Sequence, residues 1–116
     1  MLQSYNMSRE INDDLIYKAL ADSRRREILD LLRDEPLTTG DICKRLEPLD
    51  RCTVMQHLRV LEKAGLVFTQ KKGRYRWNYL NAVPICEIYE RWINKFASHS
   101  VGLITGLKRK LDQLET

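Results

Sequence analysis

The chain has 116 residues, of which 43% are hydrophobic and 31% charged. This is the balance of an ordinary globular protein, and the length suffices for one domain with a modest core. No apolar run approaches the roughly 18 residues of a membrane span, and the first ten residues lack the pattern of a secretory signal. Three scattered cysteines, Cys43, Cys52 and Cys86, form no CxxC pair, which is typical of the reducing cytoplasm. We therefore expect a cytoplasmic protein with a single domain over 1–116 and no membrane partner.

Positive charge is concentrated in one block of the chain. Residues 51–80 contain seven Lys or Arg against one acid, Glu62, whereas residues 1–50 contain eight basic against eleven acidic residues. Such a block is expected where a protein faces a polyanion. The alternative is a solvated basic surface, and charge alone does not separate the two.

Two helices are predicted before Pro36. Apolar residues at helical spacing indicate the first over 8–20. Asp22 and Ser23 are good caps for a second helix that runs to about Arg33, where Pro36 prevents its continuation. The inner face of this second helix carries Ile28, Leu31 and Leu32.

A helix-turn-helix follows. Thr38 with Asp41 resembles a capping box that opens a short third helix. Asp50 can cap a fourth helix over 51–64, and Gly65 lies where a left-handed residue closes a helix. The fourth helix has one predicted buried stripe, formed by Val54, Leu58 and Leu61.

After residue 65 the pattern changes from helix to strand. Segments 66–70 and 75–80 are rich in β-formers and flank a turn over 71–74 with a glycine at its tip, which predicts a hairpin or wing. Pro84 suits the first turn of a last helix. The predicted fold is mainly α with a β-hairpin wing (α+β), a winged helix-turn-helix in the order ααα-α-ββ-α.

The polar face of the fourth helix is a candidate reader of DNA. Gln56 can pair with adenine and Arg59 with guanine in the major groove, while basic wing residues fit contacts to the phosphate backbone or the minor groove. The alternative is that these side chains are merely solvated. The predicted DNA contacts are Thr38, Thr39, Arg51, Cys52, Thr53, Gln56, His57, Arg59, Lys71, Lys72, Arg74 and Arg76.

Some of these residues have a second interpretation. His57 follows Val54 by three positions, so it is either a structural histidine bonded near the third helix or a contact to a base or phosphate. Thr38 and Thr39 are primarily caps, with phosphate binding as a second role. Tyr75, Trp77 and Tyr79 alternate on one strand face, where core packing is favoured over base stacking.

The last helix is predicted to form a homodimer. Its apolar residues after 100 are spaced by three and four positions, as in a coiled-coil seam. Gly102 and Gly106 either break this helix or allow close helix approach. We expect segments 1–20 and 83–116 to supply the dimerisation helices. The predicted interface residues are Leu15, Tyr89, Trp92, Phe96, Leu103, Leu107 and Leu111.

Three segments carry a resemblance to a known family. ALADSRRREIL at 19–29, TVMQHLRVLEKAGLV at 53–67 and Lys72-Gly73-Arg74 resemble the opening, the recognition helix and the wing of ArsR-type (ArsR/SmtB) repressors. The similarity covers roughly 15–93. It implies a homodimer whose terminal helices form the interface and whose fourth helix enters the major groove. In many members a bound metal ion releases the DNA.

The chain departs from the family at the metal motif. Where members with a site on the third helix carry a CxC pair and a further cysteine, this chain has Thr38, Gly40 and Cys43. One thiolate cannot supply a three- or four-ligand site, so we expect no metal and no cofactor. No catalytic constellation is present in the sequence, and no enzyme is predicted.

The predicted function is sequence-specific binding of double-stranded DNA by a homodimer that represses transcription from an inverted repeat. Two alternatives stay open: a winged-helix module that binds a protein partner, and a metal- or thiol-responsive sensor with a non-standard site. The sequence does not identify the operator, the inducer or the regulated genes.

Overall fold

The computed structural model describes the backbone of residues 2–115 and the side chains of residues 10–114. The chain divides into two compact units that meet in sequence between Pro84 and Ile85. In chain order the elements are α1 (Leu2–Leu20), α2 (Ser23–Asp34), β1 (Leu37–Thr38), α3 (Thr39–Arg45), α4 (Arg51–Lys63), β2 (Val67–Lys72), β3 (Tyr75–Leu80), α5 (Val83–Ile88), a π-helical turn (Tyr89–Ile93) and α6 (Asn94–Glu115). Within the described part of the chain, no helix is both long enough and apolar enough to cross a membrane.

The predicted order of helices and hairpin is confirmed, with a longer first helix. α1 begins at Leu2, six residues before the predicted start. The early residues lack apolar spacing, but no proline or glycine precedes Pro36, so nothing interrupts the helix. Asp22 caps α2 as predicted, because its carboxylate accepts a hydrogen bond from the Arg24 N–H at 2.8 Å.

The first unit encloses the core. Its buried apolar side chains come from every helix and from the edges of the sheet: Ile16, Ala19, Ile28, Leu29, Leu32, Leu37, Ile42, Leu46, Val54, Leu58, Leu61, Leu66 and Val67. The sequence had placed Leu31 on the inner face of α2. Leu29 is buried instead, and Leu31 is half-buried.

The sheet has a third strand that the sequence did not indicate. β1 pairs antiparallel with β3, so that Leu37 faces Asn78 and Thr38 faces Trp77, and the strand order is β1-β3-β2. A strand of two residues is too short to show alternation, which is why the pattern did not reveal it.

The wing is a hairpin with a tighter turn than predicted. The last cross-strand pair is Lys72 with Tyr75, which leaves only Gly73 and Arg74 in the turn. Gly73 has φ +63°, as a glycine in the first central position of a type II′ turn requires.

The aromatic face of β3 is a correction to the sequence prediction. Asn78 is the buried residue of this strand, whereas Tyr75 is 55% exposed. Tyr79 stacks on Phe68 with ring centroids 5.1 Å apart, and Phe68 is itself exposed. Since side chains alternate along a strand, burying Asn78 turns the aromatic residues to the outer face.

The second unit is helical. α6 runs unbroken through Gly102 and Gly106, which excludes a break, one of the two alternatives for these glycines. Trp92 and Phe96 pack edge to face, with ring centroids 5.1 Å apart. The six predicted interface residues of this unit are between 46% and 62% exposed in the single chain: Tyr89, Trp92, Phe96, Leu103, Leu107 and Leu111. Leu15, on α1, is half-buried.

Candidate nucleic-acid interface

α4 is held in place by a cap and by one apolar stripe. The Asp50 carboxylate accepts a hydrogen bond from the Thr53 N–H at 2.7 Å, as predicted. This backbone hydrogen bond, with a second from the Thr53 hydroxyl, lowers the pKa of Asp50. Val54, Leu58 and Leu61 are buried along one side of the helix, which confirms the predicted stripe. The opposite side is therefore presented to solvent.

That solvent-facing side of α4 carries the predicted base-reading residues. Arg51, Cys52, Gln56 and Arg59 are all exposed, and Thr53 is half-buried. Their functional groups can donate and accept hydrogen bonds with base edges and phosphate oxygens. The structure thus leaves these side chains available, at the surface, for a ligand.

A cationic groove lies between the wing and the beginnings of α3 and α4. Its open volume is about 580 Å³. Besides Thr38 and Gly40, it is lined by five basic side chains and one acid: Lys44, Arg51, Lys71, Arg74, Arg76 and Asp41. Such an excess of positive charge in a concave surface attracts an anion.

Cross-strand pairing places two of these positive side chains opposite each other. Lys71 and Arg76 lie directly opposite each other on β2 and β3, on strand positions that alternate with the outward aromatic residues. Like charges in such a pair destabilise a hairpin. A bound phosphate would relieve that repulsion.

Some lining residues were not among the DNA contacts predicted from the sequence. They include Lys44, in the last turn of α3, and Met55, on α4. Lys44 belongs to the first fifty residues, whose net negative charge concealed it. The signal that could have found it is its position in the third helix, close in sequence to Thr38, which was already a candidate.

Thr39 has a structural role. Its side chain is 4% exposed, and its hydroxyl oxygen accepts a hydrogen bond from the Asn78 amide at 3.1 Å. The same amide group donates to the Leu37 carbonyl at 3.2 Å. The Thr39 side chain therefore ties the wing to α3, and because this residue also lines the groove, its predicted phosphate contact stays a prediction. Thr38 caps α3 by accepting from the Asp41 N–H at 3.2 Å, and it lines the groove.

His57 also has a structural role. It is half-buried, and its Nδ1 atom lies 3.3 Å from Nη1 of Arg25. The structural interpretation is thus supported over DNA contact, although the partner belongs to α2 rather than to α3.

The two remaining wing residues lie at the turn and beside it. Lys72 is exposed at the end of β2, on the face that also carries Tyr75. Arg74, at the turn, lines the groove and lies with its guanidinium carbon 5.8 Å from the Tyr75 ring centroid.

The three cysteines are free thiols. Cys43 is half-buried, and Cys52 and Cys86 are exposed. Among the described residues, no three His, Cys, Asp or Glu side chains cluster closely enough to hold a metal ion.

Comparisons with known proteins agree with this geometry. A sequence profile described as a helix-turn-helix domain matches residues 20–68. The HTH-type transcriptional regulator YuzN of Bacillus subtilis (strain 168), itself uncharacterised, is 41% identical over 88 residues, which cover 71% of this chain and 96% of YuzN. The transcriptional repressor SdpR of the same organism is 33% identical over 70 residues, covering 60% of this chain and 77% of SdpR.

A solved structure shows the same fold. A crystal structure of an ArsR family transcriptional regulator superimposes with a TM-score of 0.69 at 28% identity, and the match covers 77% of this chain and 90% of that one. The exposed polar face of α4, the cationic groove and these relatives converge on one assignment. The chain belongs to the ArsR family of winged helix-turn-helix transcriptional regulators, which bind DNA.

Proposed function

We propose that a homodimer of this chain binds an inverted repeat in double-stranded DNA and represses transcription from the adjacent promoter. The cationic groove beside the exposed face of α4 is the observation that carries this proposal. It combines a helix that can enter the major groove with a surface that can hold the adjoining phosphates.

α4 supplies the base contacts in this proposal. An α-helix with its side chains is roughly 10–12 Å across, and the major groove is about 12 Å wide, so the exposed face fits. Gln56 reads adenine and Arg59 reads guanine, each through two hydrogen bonds. Arg51 and Thr53, at the start of the helix, contact the backbone.

The groove supplies the phosphate contacts. Lys71 and Arg76 face it from the wing, and Lys44 faces it from α3. Arg74 and Lys72 sit at or beside the turn and reach the backbone or the minor groove. Each phosphate that these residues neutralise steepens the salt dependence of binding by about 0.9 in a log–log plot.

Dimerisation follows from the second unit. Six large apolar side chains of α6 and the preceding π-helical turn are about half exposed, which is uncommon in a monomer. A two-fold dimer buries the same face of both copies and presents two recognition helices to two half-sites, about one helical turn of DNA apart. Repression is supported by SdpR, which is named a transcriptional repressor.

The test is selection of duplexes from a random library by the full-length chain, followed by footprinting. We expect an inverted repeat with two protected half-sites about 10 base pairs apart, bound by two chains. Recovery of no preferred sequence would overturn the proposal. Affinity for a protein partner that survives high salt, with none for DNA, would instead favour a protein-interaction module.

A further inference from the structure

Arg25 lies at a junction of three helices. It belongs to α2, and its side chain is only 13% exposed. Its Nε–H donates to the Ala19 carbonyl at 2.9 Å, and its Nη2–H donates to the Lys18 carbonyl at 2.8 Å. Both oxygens belong to the last turn of α1, where carbonyls lack the usual helical partners; the Lys18 carbonyl also accepts from the Ala21 N–H at 3.3 Å. One arginine thereby caps α1.

The third nitrogen of the same guanidinium contacts α4. Nη1 lies 3.3 Å from Nδ1 of His57 on α4, and Asp22 lies 3.9 Å from Nη1 on the α2 side. A guanidinium can only donate. In this hydrogen bond the ring nitrogen of His57 is therefore the acceptor.

We propose that Arg25 is a positioning residue for DNA recognition: through its hydrogen bond to His57 it fixes the rotation of α4 about its axis. The proposal rests on the proposed function, since it concerns how well the chain distinguishes one duplex from another. His57 directly follows Gln56, so a rotation at His57 also moves the reading face.

The geometry shows why a single hydrogen bond matters. The buried stripe of α4 is apolar, and apolar contact is non-directional. At roughly 6 Å from a helix axis, a rotation of about 10° displaces an atom by about 1 Å. Base contacts need placement to within about 0.5 Å. The hydrogen bond from the planar Arg25 guanidinium is directional, so it orients α4 in a way that the apolar stripe alone does not.

The experiment measures discrimination by the full-length chain. Fluorescence anisotropy gives the ratio of affinities for the duplex selected above and for a permuted duplex of equal length, and each variant is compared with wild type by this ratio.

Three variants test the contact. His57→Asn keeps an acceptor oxygen near the Nδ1 position, so its ratio should stay within a few-fold of wild type, whereas His57→Leu removes the acceptor and its ratio should fall about tenfold. Arg25→Lys keeps the charge but cannot donate to three acceptors at once, so its ratio should also fall about tenfold. Arg24→Lys is the matched control, because Arg24 is exposed and its side chain pairs only with Glu27 in the contacts described.

The outcomes separate the two proposals. If wild type prefers no duplex at all, the proposed function fails. If wild type discriminates while Arg25→Lys discriminates equally well, or if His57→Leu discriminates as well as His57→Asn, the positioning role is wrong. Should circular dichroism show that Arg25→Lys is unfolded, the comparison of His57→Leu with His57→Asn decides alone.

Discussion

Helices α4 and α6 carry similar apolar stripes, but the stripe of α4 is buried and the stripe of α6 is exposed. Leu58 of α4 is 2% exposed, whereas Leu107 of α6 is 59% exposed. Both leucines lie at helical spacing from apolar neighbours one turn away, Val54 and Leu61 in the first case and Leu103 and Leu111 in the second. The stripe of α4 is buried by the chain's own first unit, so this helix is positioned within one protomer.

The stripe of α6 has no such cover in the single chain. A helix with an exposed apolar face is stable when that face packs against another surface. In the proposed function the two helices therefore have different tasks: α4 presents a polar face to DNA, and α6 presents an apolar face to a second copy.

The largest expected effect comes from charging the stripe of α6. Leu107→Asp places a carboxylate in the proposed dimer interface, where burial of an unpaired charge is costly. We expect the mass in sedimentation to halve and the affinity for the inverted repeat to fall about a hundredfold, since linked half-sites gain avidity. Thr105→Asp, on the other side of α6, is the matched control and should stay dimeric. An unchanged mass for Leu107→Asp would contradict the proposed interface.

The second test compares the two leucines directly. Leu58→Ala should lower the free energy of unfolding by about 2 to 5 kcal/mol, as expected for a truncated core leucine. Leu107→Ala should instead weaken dimerisation, so its unfolding midpoint should depend more strongly on protein concentration than that of wild type. Denaturant unfolding at two concentrations measures both. Equal, concentration-independent losses would show that α6 is packed within its own chain.

The third test separates recognition of the bases from binding of the phosphates. Gln56→Ala should reduce the preference for the selected duplex by about tenfold, because one bidentate pair is worth about 1 to 3 kcal/mol of discrimination. Lys72→Ala should weaken binding to all sequences alike and make the salt dependence shallower. Anisotropy with selected and permuted duplexes distinguishes them. If both variants behaved identically, the assigned roles would be wrong.

The smallest effect concerns the caps of α2 and α4. The Arg24 N–H bonded to Asp22 and the Thr53 N–H bonded to Asp50 each lower the pKa of the carboxyl that accepts from it. Since these values are depressed in the folded state, the caps stabilise the protein above the unfolded value and lose their effect as the pH falls through the folded one. Wild type should therefore lose part of its thermal stability below about pH 4, the ordinary range of aspartate.

A variant isolates the cap of α4. Asp50→Asn retains an acceptor oxygen but does not titrate, so the melting temperature should fall less steeply with acidification than in wild type. Parallel curves for the two proteins would show that Asp50 does not contribute to the pH dependence.

Local features were predictable from the sequence. The stripe of α4, the Asp50 cap and the glycine that closes α4 depend on residues within one or two turns of each other, so spacing alone reveals them. Gly65 indeed has φ +77°. The order of helices and hairpin followed for the same reason.

Features that depend on distant residues were not predictable. Asn78 is buried because it bonds Leu37 and Thr39, about forty positions away, and this bonding turns the aromatic residues of β3 outward. The contact between Arg25 and His57 spans 32 positions. Alternation along a strand shows two faces but does not show which of them a tertiary hydrogen bond will bury.

The central claim is that the groove and the exposed face of α4 hold DNA through its phosphates and its bases. The most direct measurement is the affinity of the full-length chain for the selected duplex between about 50 and 200 mM salt, for wild type and for Arg76→Ala. We predict a linear fall of log affinity with log salt, shallower in the variant by about 0.9 for each phosphate contact removed. Binding that does not change with salt, or the same slope in both proteins, would contradict the proposed role of the groove.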